Sequence, residues 1–461
     1  MKDRPLPRFI PLAATLALAA AQAGCAGHPP AGPPGAFDVL DFGAVPDGTT
    51  DCTAAFQRAI DAAAAPGGVV RVPAGKFLFR GSLVLKMGVC MAGLNGAPRS
   101  WEPATGSILL PTAGRDREDA PAFIEMRSST SIRGVTIYYP EQNVDDIRPY
   151  PWTIHMRADP AEPRQVCFDC TVEDVTVING YNGIRTGPTE NGRHRIRSVH
   201  GCFLRRGILV DWTGDIGRIE DVQIHSHFWA HPAFAGNWDR AFAYMQANLE
   251  AFVFGRTDWE YVANTFVFPA RVGYRFIETA NGAANGQFCG IGADATGACV
   301  VVESIQPQGL LITNGEFNSH RVGPSTQVIV EPSASGNVRF VNCGFWGPVS
   351  HNAVLRGSSF ISFSDCYFSN DDPEGGASIV AEGGKLQAEN CTFGAVSRRR
   401  RPGNAWAEDG VRRQPTGIHL KPGLRGAIVR GNNGYYGVEV VNEIGDKAII
   451  SENEPFRPEG R

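Results

Sequence analysis

Asn342-Cys-Gly-Phe345, Asp365-Cys-Tyr-Phe368 and Asn390-Cys-Thr-Phe393 repeat one short pattern: a polar residue, two others, then an aromatic. The pattern also stands at Asn314-Gly-Glu-Phe317 and Asn432-Asn-Gly-Tyr435. Upstream it reads His200-Gly-Cys-Phe203 and His225-Ser-His-Phe228. The steps between successive starts are 25, 89, 28, 23, 25 and 42 residues. Four steps have the length of one coil of a stacked-repeat protein, and two imply inserted or unrecognised coils.

The residues before the pattern agree. Leu310/Ile312, Val338/Phe340, Ile361/Phe363 and Leu386/Ala388 alternate with period two, which turns one apolar pair inward per coil. The polar residue then falls at a strand end, where it can bond its counterpart in the next coil. The aromatic falls on the next wall and stacks in register. Cys343, Cys366 and Cys391 share one position in three successive coils and read as buried, unbridged thiols. Upstream, Val222/Ile224 run out of phase by one residue. Ile132–Tyr138, Val172–Ile178 and Ile196–Val199 look like further coil strands. The expectation is an elongated all-β solenoid of parallel strands from about residue 80 to 450.

Composition suits that reading. The 461 residues include 54 glycines and 32 prolines, with 43% hydrophobic, which favours many short strands over long helices. A net charge of −4 leaves no broad electrostatic footprint for nucleic acid. The basic run Arg398–Arg401 precedes Pro402-Gly403 and reads as a solvated loop.

Residues 1–23 read as a signal peptide. Lys2, Arg4 and Arg8 precede the apolar stretch Phe9–Ala21 and a small-x-small site at Ala21-Gln22-Ala23. Export is expected, secreted or periplasmic. Cys25 makes a lipid-anchored form the alternative, although Gln22 stands where such signals carry an aliphatic residue. Residues 24–36 are a Gly/Pro-rich tether, and 37–455 are the repeat domain. No later run is long enough to span a membrane. The lone Cys167-x-x-Cys170 and His225-x-His227-x₃-His231 are weak metal signals.

The most specific motif is N-terminal. Asp38-Val-Leu-Asp-Phe-Gly-Ala44 is followed by Asp47-Gly-Thr-Thr-Asp-Cys-Thr-Ala-Ala-Phe-Gln57 and Ala59-Ile-Asp61. This predicts a strand, a glycine turn and a helix capped by Thr50 or Asp51, with a small-residue face at Ala55, Ala59 and Ala62/Ala63. Gly67-Gly68 ends the helix, and Val69 to Phe77 opens the first coil. Residues 38–94 closely resemble the pectate-lyase-like β-helix superfamily. That group includes rhamnogalacturonase- and epimerase-like proteins, phage tailspikes and bacterial proteins related to glycoside hydrolase family 28. The resemblance implies a single-stranded right-handed parallel β-helix with an N-terminal capping α-helix, the cap covering about residues 37–80. It implies no one reaction, since the scaffold hosts hydrolases, lyases, epimerases and adhesins. It leaves monomer or homotrimer open. The Asn-Thr-Asp, Asp-Asp, Gly-His-Gly and Arg-Ile-Lys motifs of family 28 hydrolases do not stand here at suitable positions. Asp145-Asp146 and Asp371-Asp372 lie in loop-like stretches and take no catalytic role.

Residues 205–320 depart from plain coils. Five of eight tryptophans fall between Trp152 and Trp259, and five of ten histidines between His194 and His231. Within an insertion at about 232–255, Trp238, Phe242, Met245, Leu249 and Phe252 follow helical spacing. Loops and inserts on a regular scaffold are where sites form. If residues after Gly255 form a strand, Asp258 and Glu260 share one face, with Trp259 and Tyr261 on the other. Asp258, Glu260, Glu278, Asp294 and Glu316 are the candidate catalytic carboxylates. Trp212, Trp229, Trp259, Tyr261, Arg256 and Arg275 are candidate substrate-binding groups.

Two carboxyl groups flanking one groove are what glycoside hydrolysis requires. An exported glycoside hydrolase acting on a polysaccharide or oligosaccharide, without cofactor, is therefore the leading expectation. The alternative is a polysaccharide lyase, which needs a base and charge neutralisation, often by Ca²⁺. Arg256, Arg275, His227 and Tyr261 are available groups, but no Ca²⁺-ligating carboxylate cluster is evident. The third reading is a non-catalytic carbohydrate-binding or adhesive solenoid.

Overall fold

The computed structural model describes residues 35–94, 104–161, 164–319, 325–370, 375–400 and 406–457; for 396–400 and 406–413 only the backbone is described. The leader at 1–23, Cys25, most of the tether and Asp371-Asp372 lie outside these stretches.

The chain winds as a parallel β-helix with three walls per coil. The first wall stacks Leu310, Val338, Ile361 and Leu386 in parallel register. The second stacks Phe317, Phe345, Phe368 and Phe393. The third stacks Val300, Val328, Ala353, Ile379 and Ile418. Every one of these side chains is buried. Coiling supplies the crossover that parallel strands require.

The first wall passes to the second through one left-handed residue per coil. Asp221, Asn264, Gly290, Asn314, Asn342, Asp365, Asn390 and Gly431 form this column, with φ between 51° and 68°. Each backbone N–H bonds the next coil, as in Asn314 N–H to Val341 O (3.0 Å) and Asn342 N–H to Ser364 O (3.0 Å). Asn and Asp tolerate this conformation best after glycine. The Asn342 amide also donates to Asn314 Oδ1 at 2.8 Å. Behind the column Phe317, Phe345, Phe368 and Phe393 stack at 5.0–5.3 Å between ring centroids.

This column corrects part of the sequence reading. The long gap after His225 holds two further turns, at Asn264 and Gly290. They escape the pattern because no aromatic follows three residues on. The upstream turn residues are Ser198 and Asp221, not His200 and His225. His200 is a second-wall strand residue paired with Thr176 and Gln223. In the last coil Gly431 makes the turn, one residue before Asn432. The 41 residues from Asn390 to Gly431 admit an antiparallel hairpin, Val396–Arg400 with Trp406–Arg413. Cys343, Cys366 and Cys391 are buried and unbridged, as expected.

Helix α1, Thr53–Ala64, buries Ala55, Phe56, Ala59, Ile60 and Ala63. Phe56 meets Phe77 and Phe79 edge-on at 5.2 and 4.8 Å. Asp51 Oδ1 accepts from the Thr53 N–H at 3.0 Å, near the expected cap. Helix α2, Trp238–Asn248, is shorter than its apolar spacing suggests. Asn237 caps it, and Phe252 already belongs to the next third-wall strand, Glu250–Phe254. Among the described residues no helix is long and apolar enough to cross a membrane.

Candidate functional site

A coil of three walls visits each wall once per turn, so residues close in sequence scatter around the solenoid. Glu260 and Tyr261 lie on the first wall, Asp294 and Glu316 on the second, and Arg275 on the third. Asp258 and Glu278 are exposed on loops leaving the third wall. The five candidate carboxylates therefore do not share a groove.

Several fail individually. Trp259 has φ +60°, and the strand starts only at Glu260, so Asp258 and Glu260 are not alternate residues of one strand. Glu260 is wholly buried and bonds His194 Nε2 at 2.8 Å. Glu316 accepts from Trp346 Nε1 at 2.6 Å. Trp229 is wholly buried, its indole N–H donating to Phe234 O, so it is a core anchor and not a sugar platform. Tyr261 lies under Arg218 on the first wall. Arg256 is tied to Thr213 O at 2.8 Å. Trp212 is 37% exposed at φ +49° beside Asp211, whose Oδ1 accepts from the Trp212 and Arg256 N–H groups.

The histidine motif is also spent locally. His225 Nδ1 accepts from the His227 N–H and His231 Nδ1 from the Ala233 N–H, each at the start of a short 3-10 turn. Among the described residues no three His, Cys, Asp or Glu side chains gather to hold a metal ion. Cys167 and Cys170 approach each other at 3.5 Å between sulfurs, both buried.

The structure instead gathers chemistry on the outer face of the third wall, on coils the sequence reading left as plain scaffold. One outward ladder runs Val84, Glu125, His155, Arg185, Leu209, Val253 and Arg275. The alternate residues Ile124, Ile154, Ile184, Ile208, Phe252 and Tyr274 fill the core and fix the direction of their neighbours. Over Glu125, His155 and Arg185 lies a cleft of about 360 Å³, walled also by Glu118, Trp152 and Arg157.

His155 is buried, and its Nε2 lies 2.5 Å from the Gly187 carbonyl oxygen. A carbonyl only accepts, so Nε2 carries the hydrogen and Nδ1 keeps its lone pair. Burial lowers the His155 pKa to about 4; Arg185 and Arg157 add to this against the pull of the Gly187 carbonyl. The imidazole is neutral at pH 7. Among the described residues Nδ1 has no hydrogen-bond partner.

Arg185 lies 5.9 Å from the Trp152 ring centroid. Its Nε is buried without a partner, and among the described residues its guanidinium makes no ion pair. Burial lowers its pKa. Two of the cleft's three carboxylates are paired; Asp119, exposed at its edge, makes no ion pair among the described residues. Glu125 meets Arg127 at 2.8 Å and Arg157 at 3.4 Å. Glu118 accepts from Asn182 at 3.1 Å and meets Arg206 at 3.5 Å. The Asp211 carboxylate pulls on Arg185 from beyond contact distance. A half-buried cation with no ion pair among the described residues, beside a neutral imidazole with a free lone pair, can receive an acidic group that carries a removable proton. A larger hollow of about 560 Å³ lies against Gly93, Arg133, Gly134 and Asp174, bordering residues 95–103, which are not described.

This architecture defines a class, the parallel β-helix with an outer-face cleft. Residues 36–109 match the family described as rhamnogalacturonase A/epimerase, pectate lyase-like. The match covers the N-terminal coils, and the chain as a whole shares the parallel β-helix fold with the pectate-lyase-like proteins that this family describes. Mannuronan C5-epimerases AlgE3 and AlgE4 of Azotobacter vinelandii are each 48% identical to it over 65 residues, 12% of this chain. The chain thus spans only 4% and 12% of those two relatives. Among solved structures, the N-terminal fragment of bacteriophage phi29 gene product 12 superposes with a TM-score of 0.60. That match has 12% identity, over 86% of this chain and 66% of that one.

Proposed function

We propose that this protein is a carbohydrate-active enzyme that removes the C5 proton of a uronate residue within a polysaccharide. Arg185 binds the uronate carboxylate over Trp152, and His155 Nδ1 takes the neighbouring proton. As the C5–H bond breaks, its electron pair delocalises into the carboxylate, where the Arg185 guanidinium stabilises the added charge. Two outcomes share this step. Loss of the C4 oxygen substituent gives elimination and an unsaturated uronate. Return of a proton to the opposite face gives the C5 epimer. The N-terminal likeness to proteins named mannuronan C5-epimerases supports the class of chemistry. Export, expected from residues 1–23, fits a substrate of polymer size.

The observation that carries this reading is the unpartnered Arg185 beside the neutral His155. Hydrolysis, the leading expectation from sequence, has weaker support. The cleft holds Glu118, Asp119 and Glu125, but arginines take up Glu118 and Glu125, leaving Asp119 as a single carboxyl without an ion pair where hydrolysis needs two.

The test is a panel of polyuronates and neutral glucans, followed by reducing-end release, unsaturated-uronate absorbance and C5 configuration. Absorbance or inverted C5 centres on a polyuronate, lost in Arg185→Met, is expected. New reducing ends with neither signal would return the assignment to hydrolysis.

A further inference from the structure

The outward ladder that carries His155 and Arg185 reaches a second cationic group three coils on. Glu250 is buried on the third wall, its side chain 3% exposed. Arg205, Arg271 and Arg275 all converge on it. Arg275 lies 2.9 Å away and Arg205 3.8 Å. All three reach the same oxygen, Oε1, so they compete for one acceptor and keep N–H donors to spare. Arg275 also meets Glu303 at 2.6 Å. Three guanidiniums thus face two carboxylates, a surplus of one positive charge, and each guanidinium side chain is 31–39% exposed.

The placement is directional. Arg275 follows Arg185 on one ladder at three strand steps, about 14 Å at ~4.8 Å per step. Leu209 and Val253 occupy the two positions between, so no acidic side chain on the ladder interrupts the path. A structural role alone would need no third arginine, since a buried carboxylate is satisfied by fewer donors than these provide.

We propose that Arg205, Arg271 and Arg275 form a second carboxylate-binding position. The ligand is then a run of uronate residues, lying along the solenoid axis from Arg185 towards the C-terminal coils. The specificity is for polymers acidic on more than one ring. The direction of the run rests on the function proposed above; the existence of the second position does not.

The test measures binding, not turnover. Polyuronate, its methyl-esterified neutral form and a uronate disaccharide are titrated calorimetrically into His155→Gln protein, with and without Arg271→Gln or Arg205→Gln/Arg271→Gln. Glu250 keeps Arg275 in both variants, and thermal melts check that the fold is retained. The expected result is at least ~10-fold weaker binding of polyuronate, the loss of about one charge-assisted hydrogen bond. Binding of the disaccharide, too short to reach from Arg185 to Arg275, stays unchanged. Equal polyuronate affinity across the variants, or equal affinity for the neutral polymer, overturns the second position. Polyuronate binding with this Arg dependence but no C5 chemistry in the wild-type protein would sink the proposed reaction and leave the second position standing.

Discussion

His155 and Arg185 owe their chemistry to what surrounds them. The Gly187 carbonyl fixes the imidazole tautomer, and burial keeps the ring uncharged. This has a consequence in pH. The His155 pKa lies at about 4 in the folded protein, against about 6.5 in an unfolded chain. The unfolded state therefore binds the extra proton first as pH falls. The stability tied to His155 is whole above about 6.5 and is lost as pH drops towards 4, by about 3 kcal/mol. His155→Gln should flatten that part of the stability curve in urea unfolding at pH 4.5 and 7.5. An unchanged difference between the two pH values would show that the ring is not held neutral by its site. Turnover should likewise keep its base down to about pH 4, with the acid limb near there and not near 6.5. The sequence did offer a signal for this residue. In Trp152-Thr-Ile-His-Met156 the histidine sits between two core positions of a strand, where an outward side chain is expected. The carboxylates and the crowded histidines after His194 are the denser signal in the sequence, and they lie downstream of His155.

A single coil was largely readable from residues 314–393, because there each coil repeats Asn or Asp, a small or thiol residue and an aromatic at nearly constant spacing. The physical reason is the left-handed turn, which accepts only a few residue types, together with the phenylalanine stack behind it. Asn342→Ala should cost roughly 1–2 kcal/mol, the penalty of a Cβ without a side-chain amide in that conformation, while Asn342→Gly costs less. Equal losses in chemical denaturation would mean that the Asn342–Asn314 bond, and not backbone strain, carries the effect. Cys343, Cys366 and Cys391 should stay unlabelled by a thiol reagent in the native protein and react on unfolding; rapid native labelling would contradict their burial. Coils before residue 264 were poorly legible, since their turn residues are Ser198 and Asp221 and no regular aromatic marks them. The candidate site lies among those coils, where His155 and Arg185 are neighbours across a loop of irregular length.

Across the whole molecule, three walls explain why proximity in sequence misled. Asp258, Glu278, Asp294 and Glu316 looked like one groove, yet the first two leave the third wall and the last two lie on the second, which faces another direction. Residues meet here by ladder position, and Glu125, His155 and Arg185 share a ladder at steps of 30 residues. The same stacking makes stability a chain of nearest-neighbour contacts. Among the described residues the last strand, Ala448–Ser451, pairs on one side only and leaves Ile449 61% and Ile450 41% exposed. Amide exchange should be fastest in coils 426–451 and slowest near the phenylalanine stack at 317–368. Uniform protection along the solenoid would argue that it unfolds as one unit.

In the proposed reaction His155 removes a C5 proton from a uronate held by Arg185. Incubation with polyuronate in deuterated water, followed by proton NMR of the C5 position and of any unsaturated product, tests it most directly. Deuterium at C5 or C4–C5 unsaturation is expected with the wild-type protein, and neither with His155→Gln, whose melt remains cooperative. Undiminished exchange or elimination in His155→Gln, or cleavage of the polymer with C5 protons fully retained, would contradict it.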